Sequence, residues 1–145
     1  MCQSCLSWYA RCIAPYFVHV GCSANAFAQM RRRMIPLAAG IVVEVGFGSG
    51  LNLPYYDDAR VERLIGVDPD GTMLGLAGPK SRSLPFDVEC LRASGESLPL
   101  ADDFADTVVV TYAFCTIPDP DAALTEIRRI LKPTGRLIFI EHGQA

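Results

Sequence analysis

Along most of the chain, apolar runs of about six residues alternate with polar stretches rich in glycine, proline and aspartate. The run Ile41-Val-Val-Glu-Val-Gly46 is β-branched and closes on glycine, which predicts a strand. Arg63-Leu-Ile-Gly-Val-Asp68 predicts a second and Val88-Glu-Cys-Leu-Arg92 a less apolar third. Thr107-Val-Val-Val-Thr-Tyr112 and Arg136-Leu-Ile-Phe-Ile-Glu141 predict the fourth and fifth. None alternates cleanly between apolar and polar positions, so both faces are expected to be covered, as in a parallel sheet. Between the last two strands the period changes. Ala123, Leu124, Ile127, Ile130 and Leu131 share a helical stripe, with Asp119 as cap, Pro120 in the first turn and Lys132-Pro-Thr-Gly135 as the stop. Strand–helix–strand order of this kind predicts an open, doubly wound α/β sheet whose ligands bind beyond the carboxyl ends of the strands.

The first third of the chain follows a different pattern. Residues 12–30 carry no Asp, Glu, Lys or Arg, and Arg31-Arg32-Arg33 follows. Pro15, His19, Gly21, Ser23, Asn25 and Gln29 make this stretch too polar for a membrane span. Amphipathic helices capping the sheet are expected over residues 1–36, ahead of an α/β core over 37–145, in one domain. The arginines read as a solvated helix end, and contact with a membrane surface stays open.

Composition narrows the classes further. With 145 residues, 50% hydrophobic and 20% charged, the chain is too apolar to be disordered. A net charge of −3 argues against a nucleic-acid binder that neutralises phosphates. Of the six cysteines, Cys2 and Cys5 have metal-ligand spacing, yet no second close pair follows, so no metal is expected. Cys12, Cys22, Cys90 and Cys115 read with them as free, small apolar residues in a reducing cytoplasm, since no secretion signal is apparent.

The candidate chemistry gathers at the end of the first strand. Gly46-x-Gly48-x-Gly50 would let the backbone turn tightly and approach a ligand. Asp68, at the end of the second strand, suits a carboxylate that accepts the ribose hydroxyls of an adenosine ligand. The glycines do not follow the dinucleotide pattern, which places the third glycine one residue later. Glu44, two residues before the first glycine, is poorly placed for a pyrophosphate but suits an ammonium group, such as the one S-adenosylmethionine carries.

With these residues in order, the chain resembles the class I S-adenosylmethionine-dependent methyltransferases. It is most similar to the branch of quinone-biosynthesis C-methyltransferases and methyltransferase-like thiol-methylating enzymes. The resemblance covers residues 37–143 and rests on Val43-Glu-Val-Gly-Phe-Gly-Ser-Gly-Leu-Asn-Leu-Pro54, Gly66-Val-Asp-Pro69, Ala93-Ser-Gly-Glu-Ser-Leu-Pro99, Asp106-Thr-Val-Val-Val-Thr111, Leu131-Lys-Pro-Thr-Gly-Arg136 and Glu141-His142. It implies a Rossmann-like, mainly parallel sheet of about five strands and S-adenosylmethionine as cofactor. Glu44, Gly46, Phe47, Gly48 and Gly50 would lie under the methionine portion and Asp68 would bind the ribose. Pro69 and Met73 would line the adenine, and Ser94, Gly95 and Glu96 would meet its amino group. Many relatives carry Asp where Ser94 stands. Thr111, Tyr112 and Ala113 would flank the transferred methyl, with His142 as candidate base beside Tyr112 as candidate catalytic residue. Tyr16, Tyr55 and Tyr56 are further aromatic candidates for the sulfonium.

The implied activity is in-line methyl transfer to a small, apolar molecule. Alternatives are a truncated fragment that binds cofactor without turnover, an interaction module, or an NAD-dependent oxidoreductase. Family members continue into a β-hairpin that completes the sheet, whereas this sequence stops at Ala145. The expectation is therefore truncation after strand five, with self-association through the edge left bare.

Overall fold

The structure, a computed structural model, describes residues 25–141. The cap expected over residues 1–36 is thus described only from Asn25, and Cys2, Cys5, Cys12, Tyr16, Cys22 and His142 lie outside the described residues.

Five parallel strands form one sheet in the order β3-β2-β1-β4-β5. They are β1 (Gly40–Val45), β2 (Val61–Val67), β3 (Asp87–Leu91), β4 (Ala105–Thr111) and β5 (Leu131–Ile140). The sheet agrees with the Rossmann-like expectation. β1 is central, pairing Val43 with Ile65 of β2 on one side and with Val108 of β4 on the other. Strand order therefore reverses at β1, and the chain leaves β1 and β4 in opposite directions around a crevice at their carboxyl ends.

The side-chain period of two sorts β1 between two cores. Val42 packs with Leu64, Val109 and Ile138 against Ile35 and against Leu74 and Ala77 of α2 (Gly71–Ser81). Val43 and Val45 pack with Ile65, Val67, Val108 and Val110 against Ile127 and Ile130 of α3 (Pro120–Ile130). Glu44 lies on the Val42 side, where α1 (Asn25–Met34) also sits. α3 begins as expected, with Asp119 Oδ1 accepting from Ala122 N at 3.0 Å.

Three features depart from the sequence reading. α2 was not anticipated, because Gly71, Gly75, Gly78 and Pro79 lower its helix propensity; the Asp70 cap on Thr72 N (2.8 Å) and the burial of Leu74 and Ala77 hold it. Lys132–Gly135, expected only as a helix stop, belongs to β5, where the register jumps from Ala105–Leu131 to Thr107–Arg136. Lys132 Nζ ties this bulge to Asp106 Oδ1 at 2.7 Å. Cys90 and Cys115 are exposed rather than packed as small apolar residues.

Among the described residues, β5 is paired on one side only, by β4, and Phe139 on it is 58% exposed. Among the same residues, no helix is long and apolar enough to cross a membrane, and no group of three His, Cys, Asp or Glu could hold a metal.

Candidate functional site

The turn after β1 is built by its glycines and by the end of β2. Gly46, at φ +75°, and Phe47 both donate their N–H to Val67 O, at 2.9 and 3.0 Å. The Phe47 ring lies over Gly66, where an added Cβ would fall 2.4 Å from it. Gly48, at φ +55°, donates its N–H to Asp68 Oδ2 at 2.8 Å, while Asp68 Oδ1 accepts from Asp70 N at 2.9 Å. Asp68 is thereby fixed at the mouth of the turn, and burial pushes its carboxyl above the usual carboxylate range.

Two confluent cavities occupy the crevice. The larger, about 320 Å³, is lined by residues that include Pro69, Ser94, Gly95, Glu96 and Ile117. The smaller, about 120 Å³, reaches Glu44, Phe47, Asn52, Thr111, Tyr112 and Arg31. Gly46, Asp68, Met73, Ala113 and Thr116 line both, so Asp68 stands at their junction.

Under the smaller cavity lies a buried polar network. Glu44 is 1% exposed; its Oε1 accepts from Asn52 Nδ2 at 2.8 Å and its Oε2 from the Tyr56 hydroxyl at 2.6 Å. Asn52 Nδ2 also donates to Thr111 Oγ1 at 2.9 Å, and Asn52 Oδ1 accepts from Arg31 Nε at 3.0 Å. Burial is the largest influence on Glu44 and raises its pKa from 4.5 to about 8, against the opposing Tyr56 and Asn52 bonds and the Arg31 charge. Burial also pushes Tyr56 upward, as does the neighbouring Glu44 carboxyl, so the phenol remains the proton donor of the pair.

At the rim, β4 ends in a strained turn. Tyr112 takes φ +54°, a left-handed conformation uncommon for a bulky residue. Its ring meets Phe27 edge-on at 4.8 Å, and the Arg31 guanidinium lies 5.4 Å from its centroid. α1 is thus attached to the site at two points, both through Tyr112 or Asn52.

Most of the expected residues come together here. Glu44, Gly46, Phe47, Gly48, Asp68, Pro69, Met73, Ser94, Gly95, Glu96, Thr111, Tyr112 and Ala113 all line one cavity or both. Gly50 lines neither: at φ +70°, an added Cβ would meet Leu53 at 2.6 Å and Ala77 at 3.2 Å, so it serves the packing of the turn on α2. Ser94 Oγ hydrogen-bonds Glu96 within the loop, and Glu96 Oε1 accepts from Asp119 N at 3.2 Å. Tyr55 and Tyr56 line neither cavity.

Arg31 departs from the reading of its triplet as a solvated helix end, being only 4% exposed, while Arg32 and Arg33 are exposed in the last turn of α1. Nothing in the run of three arginines marks which one turns inward. Asn52 was missed as well, although it stands inside the Leu51-Asn-Leu-Pro54 segment, and Tyr56, expected as an aromatic face for the sulfonium, instead donates its hydroxyl to Glu44.

Comparison with known families matches residues 43–139 to the methyltransferase domain. The ubiquinone/menaquinone biosynthesis C-methyltransferase UbiE of Syntrophotalea carbinolica is 33% identical over 117 residues, covering 78% of this chain and 48% of that protein. The thiol S-methyltransferase TMT1B of Rattus norvegicus is 33% identical over 105 residues, covering 70% of this chain and 42% of that protein. Among solved structures, the YcgJ protein of Bacillus subtilis superposes with a TM-score of 0.68 at 28% identity, over 79% of this chain and 49% of that one. The chain spans about half the length of the curated relatives it matches.

Proposed function

The chain belongs to the class I S-adenosylmethionine-dependent methyltransferases, and from that premise we propose that it binds S-adenosylmethionine in the paired cavities and methylates a small, apolar molecule. The observation that carries this reading is Asp68, locked to Gly48 N at the junction of the two cavities, where a ribose would present its hydroxyls. The donor set fits the group. Among the described residues, the carboxyls of Glu44, Asp68, Asp70 and Glu96 line the cavities against one cation, Arg31, which suits a cationic ligand and opposes a pyrophosphate.

In this reading the larger cavity takes the adenine, with Pro69 and Met73 on its faces and Ser94–Glu96 at its polar edge. The smaller takes the amino-acid end, with Glu44 toward the ammonium. Bound there, the cofactor supplies a methyl already activated as a sulfonium, so the residues need only align the acceptor and exclude water. Thr111, Tyr112 and Ala113 would flank the reacting face, and His142, two residues after β5 in the sequence, is proposed to take the acceptor's proton where one is released. A small acceptor is favoured by the relatives, whose names speak of quinone biosynthesis and of thiols.

Calorimetric titration with S-adenosylhomocysteine and with NAD tests the proposal. Binding of S-adenosylhomocysteine that weakens at least about tenfold in Asp68→Ala, as loss of charge-assisted bonds requires, supports it. Binding of NAD alone refutes it. Mass-spectrometric screening of apolar phenols, quinols and thiols with the cofactor then seeks the acceptor.

A further inference from the structure

We propose that Glu141 is a positioning residue: from the end of β5 its carboxylate holds the β4 exit turn in the shape that forms one wall of the cofactor site. This rests on the cofactor reading above. Glu141 Oε1 accepts from Ala113 N at 2.9 Å and from Phe114 N at 3.1 Å. Immediately before these two amides stands Tyr112, whose φ of +54° a tyrosine adopts only when its surroundings impose it. The same strand supplies the other restraint, since Tyr112 N donates to Ile140 O at 2.7 Å. Three successive N–H groups, of Tyr112, Ala113 and Phe114, are thus received by Ile140, the last residue of β5, and by Glu141 directly after it.

What this turn positions is the junction of the site. Ala113 lines both cavities, and its methyl lies 2.3 Å from where a Cβ on Gly46 would be. A shift of the turn toward β1 would press on the glycine loop, and a shift away would open the wall opposite Asp68. The Tyr112 ring, carried by the same turn, meets Phe27 and Arg31 of α1. One carboxylate therefore sets the height of the cavity wall and the seat of α1. An oxygen receiving two backbone N–H bonds is committed to that grip, which makes Glu141 a poor candidate for moving the acceptor's proton although it lies at the functional rim.

The test compares wild type, Glu141→Ala and Glu141→Gln by three readouts: hydrogen exchange at the Ala113 and Phe114 amides, affinity for S-adenosylhomocysteine, and the urea midpoint. Glutamine keeps a carbonyl acceptor at the same reach, and alanine removes it. The expected result is exchange about tenfold faster at both amides in Glu141→Ala, with affinity lower by about tenfold, as the loss of such bonds implies. Glu141→Gln should recover both to within about threefold, since a neutral acceptor is weaker than a charged one but still present. The urea midpoint should move little in either variant. Unchanged exchange in Glu141→Ala overturns the proposal, as does faster exchange with unchanged affinity. A fall in affinity matched by an equal loss of global stability overturns it as well, because that pattern marks a merely structural role. If wild type binds no S-adenosylhomocysteine, the cofactor reading fails, and the grip on the turn is judged by exchange alone.

Discussion

Glu44→Gln isolates the titration of one buried carboxyl. Burial holds the Glu44 pKa near 8 in the folded protein, while the same group in the unfolded chain ionises near 4.5. Below the lower value both states are protonated. Between the two, the folded protein keeps a proton that the unfolded chain has released, so stability falls as pH rises through this window and levels off above it. At about 1.4 kcal/mol per pH unit, the window from 4.5 to about 8 amounts to roughly 5 kcal/mol, of which about 3 kcal/mol falls between pH 5 and pH 8. Glutamine has no proton to lose. Its amide can accept from the Tyr56 hydroxyl but then turns an N–H toward Asn52, an offset that does not vary with pH. The assay is urea unfolding followed by circular dichroism at pH 5, 6, 7 and 8. Wild type minus variant should fall by about 3 kcal/mol over that range, other groups cancelling in the difference. The same carboxyl should ionise when an ammonium group arrives beside it. S-adenosylhomocysteine is thus expected to release protons on binding at neutral pH, read by calorimetry in two buffers of different ionisation enthalpy. Parallel stability profiles for the two proteins would show Glu44 already ionised in the fold and refute the reasoning.

Arg31→Lys should lose about 1–3 kcal/mol of stability in the same unfolding assay, because lysine reproduces neither the Nε bond to Asn52 nor the flat approach to Tyr112; a change under about 0.5 kcal/mol would contradict a buried anchor. Gly46→Ala places a methyl 2.3 Å from the Ala113 Cβ at φ +75° and should cost at least about 1–3 kcal/mol along with cofactor affinity. Gly75→Ala in α2, with nothing within 4 Å, should instead gain about 0.5–1 kcal/mol; equal melting temperatures for the two variants would undo both arguments. The outer edge of β5 and the exposed Phe139 are expected to drive self-association of the 145-residue chain, and Phe139→Lys to lower its sedimentation coefficient at matched concentration. Monomeric wild type at about 50 μM, well within the range of weak association, would count against that.

The central strands β1, β2 and β4 were legible because each is an apolar, largely β-branched run buried on both faces, whereas β3 and β5, at the sheet's edges, are partly exposed. The glycine turn and the place of Asp68 at its mouth were legible because they are local: two short segments whose geometry follows from backbone freedom and one carboxylate. α2 escaped because its helix is held by a cap and by Leu74 and Ala77 rather than by propensity, and its glycines and proline read as loop. The place of Gly50, off both cavities, was not legible because a left-handed glycine under a turn and one facing a ligand give the same sequence signal. The bonds that Arg31 and Tyr56 make escaped for a different reason. Their partners, Asn52 and Glu44, are 21 and 12 residues away, and only the folded chain brings them together.

Asn52 shows how those distant pieces act as one unit. Its Nδ2 bridges Glu44 near the end of β1 and Thr111 at the end of β4, so it spans the crevice where the strand order reverses. Its Oδ1 receives Arg31 of α1, a helix that carries three arginines and leaves Met30 half exposed. A helix with so little apolar surface to bury gains much of its attachment from Arg31 and from the Phe27–Tyr112 contact. The seat of α1 therefore depends on groups that also line the cofactor cavity. A proton leaving Glu44 strengthens its bonds to Asn52 and Tyr56 and its attraction to Arg31, and through Arg31 it draws α1 toward the sheet. The buried carboxyl, costly to ionise in an empty crevice, becomes the group through which a cationic ligand would tighten the helix above it.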